Sequence, residues 1–468
     1  MVKTRFAPSP TGYIHVGNVR TALYTYLVAR KNKGKFILRI EDTDQSRLVE
    51  GAEELILDTL KWLGLEWDGE IVHQTSRKDV YLKYANRLIE KGLAYTDPYS
   101  KEQVEKFREQ ARADKKPFLY RDYRPESPPK WRLGAPLRFR VPELKRYSWN
   151  DAVMGELSAG EEALDDFVLI KADGLPTYNF AHIVDDYEMG ITHVIRGAEY
   201  ISSTPKYLSL YEALEIEPPV LAHVPHILAP IGNKKLGKRD GAKSVAEYRA
   251  EGYLPEAMLN FLVLLGWHEK EEIEEIYSKE ELIEAFSLDR VQRAGARFDE
   301  RKLLWMNGQW IRKLGLDDLY QRCESFWGDE ANEADKKYKK KILSLVQDRL
   351  NTLEDLSSMT SYFFKEPEIN IGLITGNKQL KKLTTAELKG LLCVAEFRLE
   401  ELKTWRPENI QRRLNKLLEE TNTKPSTLFS LIRISTTWAP FSPQLNETLA
   451  LIGQERTLQR LHNLFDSL

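Results

Sequence analysis

Four groups of residues in this chain of 468 are of types and at spacings that could bind and act on a charged ligand. The first is the loop Arg5-Phe6-Ala7-Pro8-Ser9-Pro10-Thr11-Gly12-Tyr13-Ile14-His15-Val16-Gly17-Asn18. Pro8 and Pro10 fix φ and lack a backbone N–H, which stiffens the exit from a strand. Gly12 permits a turn that a side chain would forbid. His15 stands just before a helical pattern, where its ring could donate to a phosphate oxygen beside the N–H groups of the helix start. The loop is neither a Walker loop nor G-x-G-x-x-G. Phosphate binding and an ordinary βα loop with a surface histidine both stay open. The second group, Glu41-Asp42-Thr43-Asp44, ends a strand-like run, where ligands bind in open α/β sheets; Asp42 and Asp44 suit helix capping equally well. The third is Arg196, at the end of the run Val194-Ile195-Arg196. A buried Arg is costly without an anion, so its partner is either a substrate carboxylate or a structural Asp185 or Asp186. The fourth, Lys234-Lys235-Leu236-Gly237-Lys238-Arg239, has four cations in six residues between Gly232 and Gly241. It reads as a basic loop that closes over a polyphosphate, or as a solvated basic turn.

These residues need strands and helices to hold them. A β-type run from Val2 to Ala7 enters the first loop. A helix reads from Gly17, with Val19, Ala22, Leu23, Tyr26 and Leu27 on one face, and stops at Gly34 behind Arg30-Lys31-Asn32-Lys33. Lys35 to Ile40 is a short, mostly apolar strand, as in a buried parallel sheet. Residues 50–95 read as helical, with Tyr81, Tyr84, Ala85, Leu88 and Ile89 as a core-facing stripe ended by Gly92. Leu93-Ala94-Tyr95 reads as the strand after it. A charged helix-like piece, Lys101 to Lys116, then leads into Pro-rich sequence and the alternating segments Leu137–Val141 and Phe167–Lys171, a small α+β insertion. Leu221 to Leu228 reads as one more strand. Beyond about 245 the chain is almost wholly helical, with Pro255 in the first turn of a helix and no fixed repeat. Two basic patches lie in this half: Lys336-Lys337-Tyr338-Lys339-Lys340-Lys341 with Arg349, and Arg406, Arg412, Arg413 and Lys416. They suit phosphate contacts with stacking, or simply form solvated helix faces.

Composition narrows the class. With 69 basic and 71 acidic residues the formal charge is −2, so any nucleic-acid site is a local patch. The length predicts more than one domain. No run of 18 apolar residues exists, so no membrane span is expected. The start lacks a signal-peptide core, and only Cys323 and Cys393 are present, which fits a reducing compartment. The expected location is cytoplasmic.

The run Pro8-Ser9-Pro10-Thr11-Gly12 with His15-Val16-Gly17-Asn18 resembles the "HIGH" region of class I aminoacyl-tRNA synthetases, in the form typical of glutamyl-tRNA synthetases. Asn18 stands where the generic motif has its last His. Arg39-Ile40-Glu41-Asp42-Thr43-Asp44 is similar to the same family's signature. Lys234 to Arg239 resembles its second motif, "KMSKS", with Gly237 in place of the usual Ser. Phe298 to Gly308 matches the junction leading to the anticodon-binding half.

The resemblance implies an α/β fold: a class I Rossmann-like nucleotide-binding domain with an inserted α+β connective domain, followed by an all-α anticodon-binding half. The divisions expected are 1–95 and 173–244 for the catalytic domain, 96–172 for the insertion that grips the tRNA acceptor end, 245–315 for a helical junction, and 316–468 for anticodon binding. It implies a glutamate–tRNA ligase that makes glutamyl-adenylate from ATP and transfers the glutamyl group to the 2′-hydroxyl of the terminal adenosine of tRNA. His15, Lys235 and Lys238 would be catalytic. The ATP site would comprise Pro8, Ser9, Thr11, Gly12, His15, Gly17, Asn18 and Glu41, with Leu236, Lys238 and Arg239 from the second loop. Carried over likewise, the glutamate pocket would hold Arg5, Ala7, Ser9, Glu41, Tyr178, His182 and Arg196, with Arg196 on the side-chain carboxylate. Lys336, Lys337, Lys339, Arg349, Arg412 and Arg413 are the tRNA-contact candidates. Mg²⁺ is expected with ATP, held chiefly by phosphates and water, with no protein metal ligands. No Cys lies between residues 1 and 322, so the zinc that many relatives carry in the insertion is not expected. The implied partners are tRNA-Glu, L-glutamate and ATP, with no membrane, and the chain is expected to act as a monomer. Three alternatives stand beside this reading. One is a relaxed enzyme that also charges tRNA-Gln, which Arg349 disfavours because some relatives read the third anticodon base with an arginine there. Another is a glutaminyl enzyme, whose C-terminal half is a β-barrel. The last is a non-catalytic tRNA-binding paralogue.

Overall fold

The computed structural model describes residues 1–12, 14–237, 243–269, 275–439 and 442–468. Contacts divide the chain into two units: residues 1–250 with 255–303, and residues 251–254 with 304–468.

The first unit begins β1 (Lys3–Phe6), α1 (Val16–Lys31), β2 (Lys35–Ile40), α2 (Ala52–Trp62), β3 (Val72–His73) and α3 (Lys78–Glu90). Next come β4 (Ala94–Thr96), α4 (Lys101–Ala113), β5 (Leu137–Phe139), β6 (Tyr147–Asp151), β7 (Gly155–Ala159) and β8 (Val168–Ile170). It continues with α5 (Tyr178–Glu188), β9 (His193–Gly197), α6 (Thr204–Leu214), β10 (Val220–Val224), β11 (Ile227–Leu228), α7 (Val245–Ala250), α8 (Pro255–Leu264), α9 (Lys279–Ala285) and β12 (Ala296–Arg297).

Five strands form a sheet in the order β10-β9-β1-β2-β3, every pair parallel. The chain leaves β1 in one direction, through β2 to β3, and later returns on the other side as β9 and β10. The order therefore reverses between β1 and β9, and the crevice beyond their carboxyl ends is where such sheets bind ligands. Helix α1 packs against β1, β2 and β9 and against α8 and α9. Its buried residues include Val19, Ala22, Leu23, Tyr24, Leu27 and Val28, so it is covered on more than the single face its spacing predicts.

Four expectations change. The stretch read as helical contains β3, a two-residue edge strand pairing with Arg39 and Ile40, too short to leave a period. The strand read at Leu93-Ala94-Tyr95 joins the insertion: β4 pairs antiparallel with β5, and β5 with β8. Leu221 to Leu228 is two strands, since Pro225, lacking an N–H, falls between β10 and β11, which pairs with β12. Finally, the left-handed residue that ends α1 is Lys33, at φ 50°. Gly34 is small for another reason: a Cβ there would lie 2.1 Å from the carbonyl oxygen of Val2.

The insertion also holds the β6–β7 hairpin, paired from Tyr147–Ala159 to Asp151–Gly155. The helix stripe Tyr81, Tyr84, Ala85 and Leu88 packs with Leu137, Phe139, Leu169, Phe180, Ile183 and Leu210 in one core.

The second unit is helical, and among its described residues no strand occurs. Its larger core gathers Leu392, Leu399, Leu414, Leu428, Leu431 and Leu461. The helices Pro407–Thr421 and Pro425–Thr437 each start on a proline, whose fixed φ and missing N–H cost nothing in a first turn. Thr384 and Glu387 form a capping box on Thr385–Glu400. Among the described residues, no helix is long and apolar enough to cross a membrane.

Candidate active site

A cavity of about 670 Å³ opens at the switch point of the parallel sheet. β1 and its exit loop supply Arg5, Ala7, Pro8, Ser9 and Thr11; α1 begins at the cavity with His15, Gly17 and Asn18. The end of β2 adds Glu41, the start of α5 adds Tyr178, the end of β9 adds Arg196, and Lys235 comes from the basic loop. Two backbone bonds fix the first loop to the segment after β2: Glu41 N–H donates to the Pro8 carbonyl (2.9 Å) and Val49 N–H to that of Pro10 (3.0 Å). Gly12 has φ 145°, a turn open to glycine.

His15 caps α1. Its backbone is extended and its Nδ1 accepts from Gly17 N–H at 3.1 Å. An accepting Nδ1 places the proton of the neutral ring on Nε2. The residue thus satisfies the helix start with one nitrogen and carries its proton on the other.

Behind the pocket floor lies a buried charge network. The Arg5 guanidinium donates to both Asp186 carboxylate oxygens, at 3.0 and 3.3 Å. Arg39, fully buried, donates to Asp186 at 2.8 Å and to Glu41 at 3.1 Å. Asp185 accepts from Gln74, Arg77 and Tyr81 at 2.7–2.8 Å. Burial would raise the Asp186 carboxyl, but Arg5 and Arg39 beside it hold it well below the usual carboxylate range. Burial pushes the Glu41 carboxyl up to about 7 against the pull of Arg39 and Arg5.

Arg196 differs from Arg5. Only 6% of it is exposed, and among the described residues it has no ion-pair partner, Asp185 and Asp186 being taken by Arg5, Arg39 and Arg77. The structural ion pair left open by the sequence is not formed. Its Nε–H donates to His223 Nε2 at 3.0 Å, a terminal nitrogen lies 3.5 Å from the Thr204 hydroxyl, and the rings of Tyr200 and Tyr207 flank it at about 5 Å. A buried cation held only by neutral groups lacks the counter-charge that usually offsets its desolvation.

His182 does not line this cavity. It is buried behind Tyr178, stacked on its ring at 4.7 Å, with Nδ1–H donating to the Tyr178 carbonyl at 2.7 Å. Burial, and Arg196 beside it, bring its imidazole down to about 3, so it is neutral. The short helix that directly follows has no side-chain cap from Asp42 or Asp44; Asp42 instead accepts from the N–H and hydroxyl of Thr75, in the 3₁₀ turn Gln74–Arg77, at 2.9 and 2.5 Å.

Lys235 bridges back to Leu228 in backbone pairing, and its ammonium meets the Glu199 carboxylate at 3.2 Å. A second cavity, of about 750 Å³, adjoins and shares His15, Gly17 and Lys235 with the first. It adds Leu236, Gly237 and Ser244, and Ser244 pairs with His15 through the backbone. The first loop and the lysine loop thus meet at residues 15 and 235. Lys238 and Arg239 lie outside the described residues.

The helical unit has a cavity of its own, lined by Lys336, Lys337, Lys340, Lys341 and Trp405 among others. Lys339 instead covers the Trp327 ring at 5.6 Å. Arg349 and Arg412 are exposed. Arg412 donates to Asn409 at 2.5 Å, while Arg413 pairs with Glu401 at 3.0 Å.

Sequence reasoning passed over several residues. Tyr200, Glu199, His226 and Arg47 line the main cavity. All but Arg47 fall just after β9 or β10, and the strand-end rule applied to every strand would have found them. His223 and Asp151, behind Arg196, left no such signal.

Residues 1–305 match the family described as tRNA synthetases class I (E and Q), catalytic domain, and residues 318–465 match an anticodon binding domain. A parallel sheet whose switch-point cavity joins His15 to Lys235, followed by helices matching an anticodon domain, defines a class I aminoacyl-tRNA synthetase. The chain belongs to the glutamate/glutamine family of that class. Within it, the chain is 42% identical to the glutamate–tRNA ligase of Clostridium botulinum over 488 aligned positions, covering 100% of this chain and 98% of that protein. It is 40% identical to glutamate–tRNA ligase 1 of Caldanaerobacter subterraneus, covering 98% and 96%. A crystal structure of a glutamate tRNA ligase from Elizabethkingia meningosepticum, in complex with its amino acid, superposes with TM-score 0.88 at 32% identity, covering 100% and 99%.

Proposed function

We propose that this chain charges tRNA-Glu with L-glutamate. An α-carboxylate oxygen of glutamate attacks the α-phosphorus of ATP, forming glutamyl-adenylate and releasing pyrophosphate. The terminal 2′-hydroxyl of tRNA then attacks the activated carbonyl and AMP leaves. The observation that carries this reading is Arg196, a buried cation without a carboxylate of its own, in one cavity with His15 and Lys235.

In this reading Arg196 takes the side-chain carboxylate of glutamate, and Arg5, already paired with Asp186, borders the site as a fixed dipole. Glu41 meets the ammonium group, with Ala7, Ser9 and Tyr178 completing the pocket. Adenylate formation asks the protein for position and for charge on the phosphoryl oxygens. His15 supplies Nε2–H at the mouth of α1, where helix N–H groups also face an anion. Lys235 and Lys238 supply the ammonium groups, and Lys235 leaves Glu199 to do so. Mg²⁺ would enter on the ATP phosphates and would neutralise part of their charge; Asp44 and Glu199, both at the cavity wall, could accept hydrogen bonds from its waters. The insertion, 96–172, would hold the acceptor end, and Lys336, Lys337, Lys339, Arg349, Arg412 and Arg413 would meet the tRNA backbone and anticodon.

The test is a charging assay with glutamate, ATP and purified tRNA-Glu and tRNA-Gln. Charging of tRNA-Glu alone is expected. Charging of both, or of neither, would overturn the assignment as stated.

A further inference from the structure

We infer that Asp151 and His223 are positioning residues for substrate recognition: they fix the tautomer and place of the imidazole that aims Arg196. The inference rests on the reading of Arg196 given above.

The chain of contacts runs from the insertion into the sheet. Asp151 ends β6, and the next residue, Ala152, donates its N–H to the Leu221 carbonyl of β10 at 2.8 Å. One Asp151 oxygen, Oδ1, accepts three backbone N–H groups: Val153 at 3.0 Å, Met154 at 2.9 Å and His223 at 3.1 Å. The other, Oδ2, meets His223 Nδ1 at 2.5 Å. His223 Nε2 then faces Arg196 Nε at 3.0 Å. His223 is wholly buried and Asp151 nearly so.

The hydrogen inventory leaves one arrangement. Arg196 Nε can only donate, so His223 Nε2 must accept, and the ring proton sits on Nδ1, where an ionised carboxylate holds it. A ring protonated on both nitrogens would set two N–H groups against each other. With Nε occupied, the guanidinium is locked in plane, and its terminal nitrogens, one of them in a long 3.5 Å contact with the Thr204 hydroxyl, are left for a ligand's carboxylate. Replacing such a second-layer acceptor disturbs the recognising group without touching the ligand, as it does for metal-bound histidines.

The decisive variant is Asp151→Asn, which keeps size and shape. The three backbone N–H groups oblige the amide oxygen to take the Oδ1 place, so the NH₂ replaces Oδ2. It now donates to Nδ1, the ring proton moves to Nε2, and Arg196 Nε–H meets another donor. His223→Gln provides rescue, because its amide oxygen can stand where Nε2 stood; the shorter His223→Asn cannot reach.

The experiment is initial-rate aminoacylation by the full chain, varying glutamate and ATP separately, with thermal unfolding of each variant. Expected for Asp151→Asn and His223→Asn is a KM for glutamate raised about 10- to 100-fold, the cost of leaving a buried charged donor unpaired. The KM for ATP should stay within about twofold, and His223→Gln should recover most of the glutamate affinity. Arg196→Ala is the reference. If it raises the KM for glutamate and Asp151→Asn does not, or if Asp151→Asn raises both KM values equally, the positioning role is overturned and the pocket stands. If Arg196→Ala leaves the KM for glutamate unchanged, the pocket itself falls.

Discussion

His15 has two tasks that one substitution can separate. Its Nδ1 caps α1, and in the proposed reading its Nε2–H donates to phosphate. Asn is a good cap residue but ends short of the Nε2 position. His15→Asn should keep the thermal midpoint of the parent while aminoacylation falls roughly 10²–10³-fold; His15→Ala should lose both, with about 1 kcal/mol of stability. Activity in His15→Asn equal to the parent would remove the ring from catalysis. Glu41 and His182 oppose each other in pH dependence. Glu41 titrates at 4.5 when unfolded and about 7 when folded, so between those values the folded state holds a proton the unfolded chain has lost, and stability falls as pH rises. His182 titrates at 6.5 unfolded and about 3 folded, so in that window the unfolded chain binds the extra proton and stability rises with pH. Each contributes a slope of about 1.4 kcal/mol per pH unit. In the overlap, from pH 4.5 to 6.5, the two slopes cancel, so Glu41→Gln should leave stability rising with pH and His182→Asn should leave it falling. Melting curves across that range check both signs, and changes of the same sign would refute the scheme.

At the scale of elements, the turn between α1 and β2 makes a paired test. Gly34 lies against the backbone of Val2, so Gly34→Ala must push β1 aside, at about 1–3 kcal/mol. β1 carries Arg5 and leads into the first loop, so the KM for both glutamate and ATP should rise. Lys33, one residue earlier, is the left-handed position, and Lys33→Gly should raise the thermal midpoint, relieving up to about 1 kcal/mol. If Gly34→Ala proves harmless and Lys33→Gly harmful, the turn is built otherwise. The spacing of apolar residues located α1, β1, β2 and β9 because each is long or uniform enough to leave a period; α5 was not read from it. It failed at β3, two residues long, and at the β6–β7 hairpin, whose half-exposed, polar-rich strands carry little hydrophobic contrast.

For the whole molecule, a net charge of −2 leaves tRNA binding to local patches, and the patches are not equal. Arg413 is engaged by Glu401, whereas Lys336 and Lys337 line an open cavity. Replacing Lys336, Lys337 and Lys339 together by Ala should weaken tRNA binding and flatten its dependence on log salt by about 0.7–0.9 for each phosphate that the variant no longer neutralises. Binding titrations over a range of salt would measure this, and an unchanged slope would return the run to a solvated face.

The sequence by itself determined what depends on local spacing: a strand and a loop with a histidine just before a helix, a carboxylate after the second strand, an arginine at the end of a later one, a lysine loop, and a helical second half. Each is a short-range pattern of backbone preference and burial, readable without neighbours. Only the tertiary structure decided which charges are already matched. Arg5 and Arg196 look alike in the sequence, yet Asp186 lies beside one and a neutral imidazole beside the other. That difference is set by strand order and by a hairpin docked some seventy positions from its partner, and pairings at such separation leave no mark on local composition.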